Sequence, residues 1–154
     1  MKFNMVENNV VLLRPLVRED SPALLATGSY PEIWSYMSTT IEDKSDVHNF
    51  VENALSNKSL MKEYPFVIVD KLSGQIIGST RFMDINSKHQ RLEIGTTWLT
   101  PSFWRTAVNT NCKYLLLTYC FEVLGLQRVQ IKTDYDNIRS QKAIERIGAK
   151  KEGV

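Results

Sequence analysis

A short polar turn between Pro101 and Val108 is the first place where this chain could do chemistry. It precedes an apolar run with helical spacing, and it contains one basic side chain, that of Arg105. The first backbone N–H groups of a helix have no partner inside the helix, and together with the helix dipole they attract anions. We therefore expect an anion site formed by Arg105, Thr106, Ala107, Val108, Asn109 and Thr110. The alternative is an ordinary strand-to-helix turn whose helix is capped and binds nothing.

Asn137 and Ser140 form a second candidate pair, three residues apart at the start of the last predicted helix. This spacing puts two polar side chains on one side of a helix, where both can point into the same cleft. The other interpretation is local. Asparagine is a good helix N-cap, and a serine in the first turn can satisfy nearby backbone groups.

Four predicted elements position these residues. They are a strand over Leu92–Leu99, a helix over Val108–Leu124 that ends at Gly125, a strand over Arg128–Thr133, and a helix from Asn137 to Gly148. A helix that connects two strands of one sheet makes those strands parallel. Openings at the carboxyl ends of such strands are favoured ligand sites.

The N-terminal part predicts antiparallel strands and further helices. Strands are expected over Val10–Leu16, Glu63–Asp70 and Gln75–Phe82, and helices from Ser21, over Pro31–Met37 and over Ser45–Leu60. The whole predicts a single α+β domain over residues 1–154, with a mixed, mostly antiparallel sheet that has helices on both faces.

Composition excludes several function classes. The 154 residues carry a net charge of only +2, and the basic residues are scattered, so we expect no nucleic-acid partner. No apolar run is long enough to cross a membrane. Neither histidine has metal-ligand spacing, and no metal is expected. Cys112 and Cys120 would be separated by about 12 Å along one helix, too far for a disulfide, which favours reduced thiols and a cytoplasmic protein.

Several segments recur together, in this order, in one known family. They are Trp104–Thr110, Cys120–Gly125, Arg128–Val129, Asn137–Ser140 and Ile147–Ala149, followed by Glu152 and Gly153. The chain resembles the GNAT superfamily of acetyl-CoA-dependent N-acetyltransferases, in the branch similar to ribosomal-protein N-terminal acetyltransferases. The resemblance implies that the two parallel strands splay apart and that the pantetheine arm of acetyl-CoA lies in the gap.

The resemblance also assigns the turn after Pro101 to the pyrophosphate of the cofactor. Family members carry the pattern Gln/Arg-x-x-Gly-x-Gly/Ala there, and this chain departs from it with Ser102 at the first position and Arg105 at the first glycine; Ala107 fits the last. Because Arg105 has a side chain, we expect it to adopt a φ compatible with one. The backbone of Trp98, Leu99 and Thr100 is expected to pair with the pantetheine amides like an added strand.

The same resemblance suggests roles for the remaining candidates. Asn137 would bond the cofactor arm, and Ser140 would protonate the leaving thiolate. Glu93 is the best candidate for the general base that deprotonates the attacking amine, the alternative being a solvent-facing charge in an alternating strand. Trp34, Tyr36 and Met37 are expected to line the acceptor site.

Two functions stay open on this evidence. The first is acetyl transfer from acetyl-CoA to a protein N-terminus or small-molecule amine, by direct attack in a ternary complex. The second is a degenerate, non-catalytic GNAT-fold module that acts through CoA or protein binding. Residues 150–154 resemble the start of a further strand, so either the C-terminal strands are truncated or they come from elsewhere. We expect impaired stability or a partner that covers the exposed sheet edge, for which a homodimer is one candidate.

Overall fold

The computed structural model describes residues 1–154, which form one six-stranded sheet. The strands are β1 (Val6–Glu7), β2 (Val11–Pro15), β3 (Tyr64–Asp70), β4 (Ile76–Asn86), β5 (Arg91–Leu99) and β6 (Arg128–Gln130). Their order in the sheet follows the chain, with antiparallel pairing from β1 to β5 and a parallel pairing between β5 and β6. The predicted mixed, mostly antiparallel sheet is confirmed.

Four α-helices accompany the sheet: α1 (Ser21–Gly28), α2 (Lys44–Ser59), α3 (Val108–Thr118) and α4 (Ile138–Arg146). Asp43 caps α2 by accepting a hydrogen bond from the backbone N–H of Asp46 at 2.9 Å. A π-helical turn, Tyr119–Val123, extends α3, so the long predicted helix is present but changes type near its end. The helix predicted over Pro31–Met37 is wrong in extent, because only a 3₁₀ turn forms at Pro31–Trp34.

Two apolar cores lie on opposite faces of the sheet. The α3 face buries side chains such as Phe82, Ile94 and Leu116, whereas the α1/α2 face buries others such as Leu24, Phe50 and Trp98. Helices therefore cover both faces, as predicted. The residues that alternate along a strand divide between the two cores because neighbouring side chains point to opposite faces.

A β-bulge interrupts β5 in its middle. Gly95 lies opposite Arg81 and Trp98 opposite Ser79, so Thr96 and Thr97 together face the single residue Thr80 of β4. Thr96 has a φ of 46°, in the left-handed region. The extra residue twists and bends the strand at this point.

The far edge of the sheet is β6, which is shorter than the predicted strand. It pairs with β5 alone, and residues 149–154 form no strand beside it. Arg128 instead binds Glu152 through two hydrogen bonds of 2.8 and 2.6 Å. None of the helices is long and apolar enough to cross a membrane.

Candidate functional site

The two parallel strands form a fork. β5 and β6 are paired only over Arg91–Glu93 and Arg128–Gln130. Beyond Glu93, β5 continues to Leu99 and pairs only with β4. The splayed strands predicted from the sequence are therefore present, with an open strand edge between Glu93 and the turn after Pro101.

The turn that leads from β5 into α3 keeps a glycine-like backbone without a glycine. Arg105 has a φ of 60°, in the left-handed region, and its side chain is exposed. The expectation of an ordinary φ for a residue with a side chain is thus wrong. The left-handed conformation costs an L-residue roughly 1–2 kcal/mol. The turn keeps the conformation that glycine would adopt most easily and adds a guanidinium group to it.

Internal hydrogen bonds order the rest of this turn. The Thr106 hydroxyl donates to the carbonyl oxygen of Phe103 at 2.7 Å and accepts from the backbone N–H of Val108 at 3.3 Å. Ala107 precedes the first residue of α3, and its carbonyl oxygen accepts from the side-chain amide of Asn111 at 2.7 Å. The predicted ligands of an anion are therefore held on a structured turn at the start of α3.

The side chains of the first α3 residues differ in exposure. Val108 is buried in the core, and its backbone N–H already donates to the Thr106 hydroxyl. Asn109 is partly exposed, and Thr110 is exposed. Their predicted binding roles remain predictions, and Thr110 has the more exposed side chain of the two.

The end of β5 has fewer free backbone groups than the sequence suggested. The carbonyl oxygen of Leu99 accepts a hydrogen bond from Nε1 of Trp104 at 2.8 Å, and the N–H of Thr100 donates to the carbonyl oxygen of Ile77 at 2.8 Å. Trp98 is buried, and its indole N–H has no partner. Pairing of this segment with a cofactor arm therefore depends on its other backbone groups.

Asn137 and Ser140 lie at the start of α4, where the capping interpretation is correct. The side-chain oxygen of Asn137 accepts from the backbone N–H of Ser140 at 3.2 Å. This contact leaves the Asn137 amide N–H₂ group and the Ser140 hydroxyl for other partners. Next to them, the guanidinium of Arg139 stacks over the Trp104 ring at 4.3 Å, which joins α4 to the turn after β5.

Glu93 lies at the fork and faces a cavity of about 510 Å³ on the α2 side of the sheet. It is 9% exposed, so the alternative of a solvent-facing charge is wrong. Its Oε2 atom lies 3.1 Å from Nζ of Lys132. A Cβ atom on Gly95 would lie 3.3 Å from Oε1 of Glu93, so glycine leaves room for the carboxylate.

The cavity contains both signs of charge. Its lining comprises Asn57, Lys62, Glu63, Met83, Asp84, Ile85, Glu93 and Lys132. Glu63 binds the buried Arg81 at 2.8 Å, and Asp84 forms an ion pair with Arg91. Glu93 is therefore the lining carboxylate that forms an ion pair with the largely exposed Lys132.

The predicted acceptor residues lie elsewhere. Trp34 is buried, donates its indole N–H to the carbonyl oxygen of Gly28 at 2.9 Å, and packs against Trp98. Met37 borders a separate shallow cavity, and Tyr36 is exposed. None of the three lines the cavity of Glu93. Their role in acceptor binding remains a prediction.

Two lysines were missed by the sequence analysis. Lys132 lies two residues beyond the end of β6 and inside the strand predicted over Arg128–Thr133, but it was not among the candidates. Lys113 is buried in α3, where burial lowers its pKa to about 8 against an opposing effect of Cys112. The sequence does contain a signal for the burial of Lys113. Leu116 and Leu117 follow it by three and four residues, which puts the lysine on an apolar side of the predicted helix.

A family model described as an acetyltransferase (GNAT) domain matches residues 11–150 of the chain. The chain belongs to the GNAT acetyltransferase family. Its fold and the fork between β5 and β6 agree with the resemblance inferred from the sequence.

GNAT relatives cover nearly the whole chain. It is 26% identical to the uncharacterized N-acetyltransferase YoaA of Bacillus subtilis (strain 168) over 155 aligned positions, which span 99% of this chain and 86% of YoaA. A GCN5-related N-acetyltransferase structure from Brucella melitensis has a TM-score of 0.91 at 25% identity, over 99% of this chain and 70% of that one. The microcin C7 self-immunity acetyltransferase MccE, solved with acetyl-CoA and AMP, shares the fold with a TM-score of 0.82 at 23% identity, over 95% and 82%.

Proposed function

We propose that this chain is a cytoplasmic N-acetyltransferase that transfers the acetyl group of acetyl-CoA to a primary amine by direct attack in a ternary complex. The observation that supports this most directly is the fork between β5 and β6, with Glu93 at its vertex and the start of α3 at its open end. Two proteins with this fold were solved with the same kind of ligand: MccE in complex with acetyl-CoA and AMP, and the ribosomal L7/L12 acetyltransferase RimL in complex with CoA.

The diphosphate of the cofactor would lie at the turn before α3. The backbone N–H groups of Arg105, Thr106, Ala107 and Asn109 would donate to its oxygens, since that of Val108 is bonded to the Thr106 hydroxyl, and the guanidinium of Arg105 would add a charged contact. The pantetheine arm would run along the free edge of β5 towards Glu93. The amide of Asn137 would bond this arm, and the hydroxyl of Ser140 would donate its proton to the departing thiolate.

Glu93 would act as the general base. An amine is protonated at neutral pH, and it attacks a thioester only after losing that proton. The carboxylate lies in a cavity that opens to solvent, so an acceptor amine can approach it while the thioester arrives through the fork. The acceptor is a protein N-terminus or a small-molecule amine, for which Trp34, Tyr36 and Met37 are candidate contacts.

Calorimetric titration with acetyl-CoA is the first test, and we expect a micromolar dissociation constant. A thiol-release assay with peptide and small-molecule amines then measures turnover. Glu93→Gln should lower kcat at pH 7 about 100-fold, the usual contribution of a general base, with little change in acetyl-CoA affinity. Ser140→Ala should have a smaller effect. No heat of binding at millimolar acetyl-CoA would refute the proposal.

One observation favours a second function, a degenerate module that binds CoA or a protein without catalysis. The first glycine position of the phosphate turn holds Arg105 in a left-handed conformation, and Ser102 replaces the larger polar residue of the family pattern. Micromolar binding of CoA without thiol release from any amine would support this function. A homodimer formed through the unpaired edge of β6 is compatible with both functions. Sedimentation velocity measures this self-association directly.

A further inference from the structure

We propose that Lys132 is a site of intramolecular acetylation, in which the chain uses its own side chain as the acceptor amine. This inference rests on the proposed function, because it uses the same acetyl donor and the same general base. It adds a modification site on the protein itself.

The first observation is the position of the Lys132 amine. Its Nζ atom lies 3.1 Å from Oε2 of Glu93, which is the place that an acceptor amine must reach to lose its proton. Lys62 also lines the cavity, but it makes no ion pair with Glu93. Among the lysines of this cavity, Lys132 alone therefore lies against the proposed base.

The second observation is the register of the two strands. Gln130 of β6 lies directly opposite Glu93 of β5, at the last paired position before the fork opens. Residues two apart in an extended chain point to the same side, which brings Lys132 to the side of Glu93 just beyond the pairing. The lysine is thus placed at the vertex of the fork, where the thioester would arrive.

The third observation is the contrast in exposure within the pair. The Lys132 side chain is 67% exposed, whereas that of Glu93 is 11% exposed. A flexible four-carbon stem lets the amine leave the carboxylate and turn towards the fork once it is neutral. The carboxylate stays fixed in the sheet and is ready to accept the proton.

The chemical step balances without any further reagent. Glu93 takes a proton from the Lys132 ammonium, and the neutral nitrogen attacks the carbonyl carbon of acetyl-CoA. A C–N bond forms and the C–S bond breaks, so the products are Nε-acetyl-lysine and CoA. The Ser140 hydroxyl or a water protonates the departing thiolate and is itself reprotonated by the second proton that the attacking nitrogen loses, while Glu93 returns the first proton to solvent. Acetylation removes the lysine charge and with it the ion pair to Glu93.

The experiment uses the full chain and acetyl-CoA with a deuterated acetyl group. Peptide mass spectrometry follows label on each lysine with time. We expect Lys132 to gain label at least tenfold faster than Lys62, with a first-order rate that does not change with protein concentration. Glu93→Gln preserves the shape of the side chain and should slow labelling of Lys132 at least tenfold while leaving Lys62 unchanged. Lys132→Arg should remove the fast phase.

The outcomes separate the two proposals. If the chain binds acetyl-CoA and acetylates an added amine but labels Lys132 no faster than Lys62, the inference fails and the proposed function stands. Equal labelling of Lys132 in the wild type and in Glu93→Gln would indicate chemical acetylation by the thioester alone and would also overturn it. A rate that rises with protein concentration would indicate transfer between two copies. If no acetyl-CoA binds, both proposals fail together.

Discussion

The Nζ atom of Lys113 donates a 3.0 Å hydrogen bond to Oγ1 of Thr97, which in turn lies 2.8 Å from Oγ1 of Thr80. The lysine is 6% exposed and lies in α3, under the bulged part of β5. An ammonium group has three donors, and this one has a single hydrogen bond to the protein. The contact joins α3 to the strand that forms one side of the fork.

Replacement of Lys113 by Met should stabilise the protein at pH 7. Burial disfavours the charged form and lowers the pKa of Lys113 from 10.5 to about 8, so the ammonium opposes folding whenever both states are protonated. We expect Lys113→Met to raise the free energy of unfolding by about 1–3 kcal/mol at pH 7. Urea denaturation measures this change, with the exposed Lys88→Met as control. A less stable Lys113→Met protein would show that the hydrogen bond to Thr97 outweighs desolvation.

The advantage of Lys113→Met should shrink as the pH rises. Between pH 8 and 10.5 the unfolded wild type binds more protons at Lys113 than the folded wild type does. The contribution of Lys113 to the free energy of unfolding of the wild type therefore rises with pH over this range. Burial raises the pKa of Cys112 and Cys120 to about 12, which lowers stability above about pH 9. Because this second effect is common to both proteins, the difference between their unfolding free energies at pH 7, 9 and 10 isolates Lys113. A constant difference would contradict the prediction.

The Arg105→Gly protein should be more stable than the Arg105→Ala protein. Both substitutions remove the guanidinium, but only glycine adopts a φ of 60° without strain. Glycine also gives the unfolded chain more entropy, which offsets part of this advantage. The free energy of unfolding of Arg105→Gly should therefore exceed that of Arg105→Ala by about 0.5–1 kcal/mol. Thermal denaturation compares the two. The matched control is Ala107→Gly, at a φ of −71°, which should lose stability instead.

The strand glycines should differ in their tolerance of alanine. A Cβ on Gly78 would lie 2.1 Å from the carbonyl oxygen of Trp98, whereas a Cβ on Gly95 would meet the sulfur of Met83 at 2.7 Å. The backbone of Trp98 cannot move away as the flexible side chain of Met83 can. Gly78→Ala should therefore lower the free energy of unfolding by about 3 kcal/mol or more, and Gly95→Ala by about 1 kcal/mol. Gly95→Ala should also reduce acetyl transfer because it displaces Glu93. Equal losses of stability would refute the contrast.

The two cysteines should resist alkylation in the folded protein. Both are buried, and burial raises the pKa of each thiol to about 12, so neither forms an appreciable thiolate at pH 8. Iodoacetamide should modify neither cysteine in buffer over an hour and both in 6 M guanidinium chloride. Intact-mass spectrometry counts the adducts. Rapid modification in buffer would mean that α3 opens locally.

The helix between two strands of one sheet predicted the parallel pair, and the family resemblance predicted that the two strands splay apart. The sequence did not predict the bulge, since Thr96 has no feature that indicates a left-handed φ. It also did not predict that Trp34 packs with Phe50 and Trp98 in one aromatic cluster. Such packing depends on contacts between distant elements, and local patterns do not encode it.

The contact between Lys132 and Glu93 was unpredictable for a related reason. Each residue could be placed on its own element, but their meeting depends on the register that puts Gln130 opposite Glu93. A shift of one residue would turn the lysine to the other face. The alternation of apolar and charged residues around Glu93 allowed either a base in a cleft or a solvent-facing charge, and the structure places the side chain in a cavity.

The bulge at Thr96 reverses the parity of β5. Ile94 belongs to the α3 core, and strict alternation would send Trp98 to the same side, yet Trp98 packs under α1 and α2 while Leu99 returns to α3. The extra residue therefore leaves the alternation of side chains regular on either side of the bulge, but it reverses which face the later side chains point to. Deletion of Thr96 would exchange the faces of Trp98 and Leu99, so that the indole would point to the α3 core and the leucine to the α1/α2 core. A one-residue deletion here should therefore destabilise the protein far more than any single replacement of Thr96.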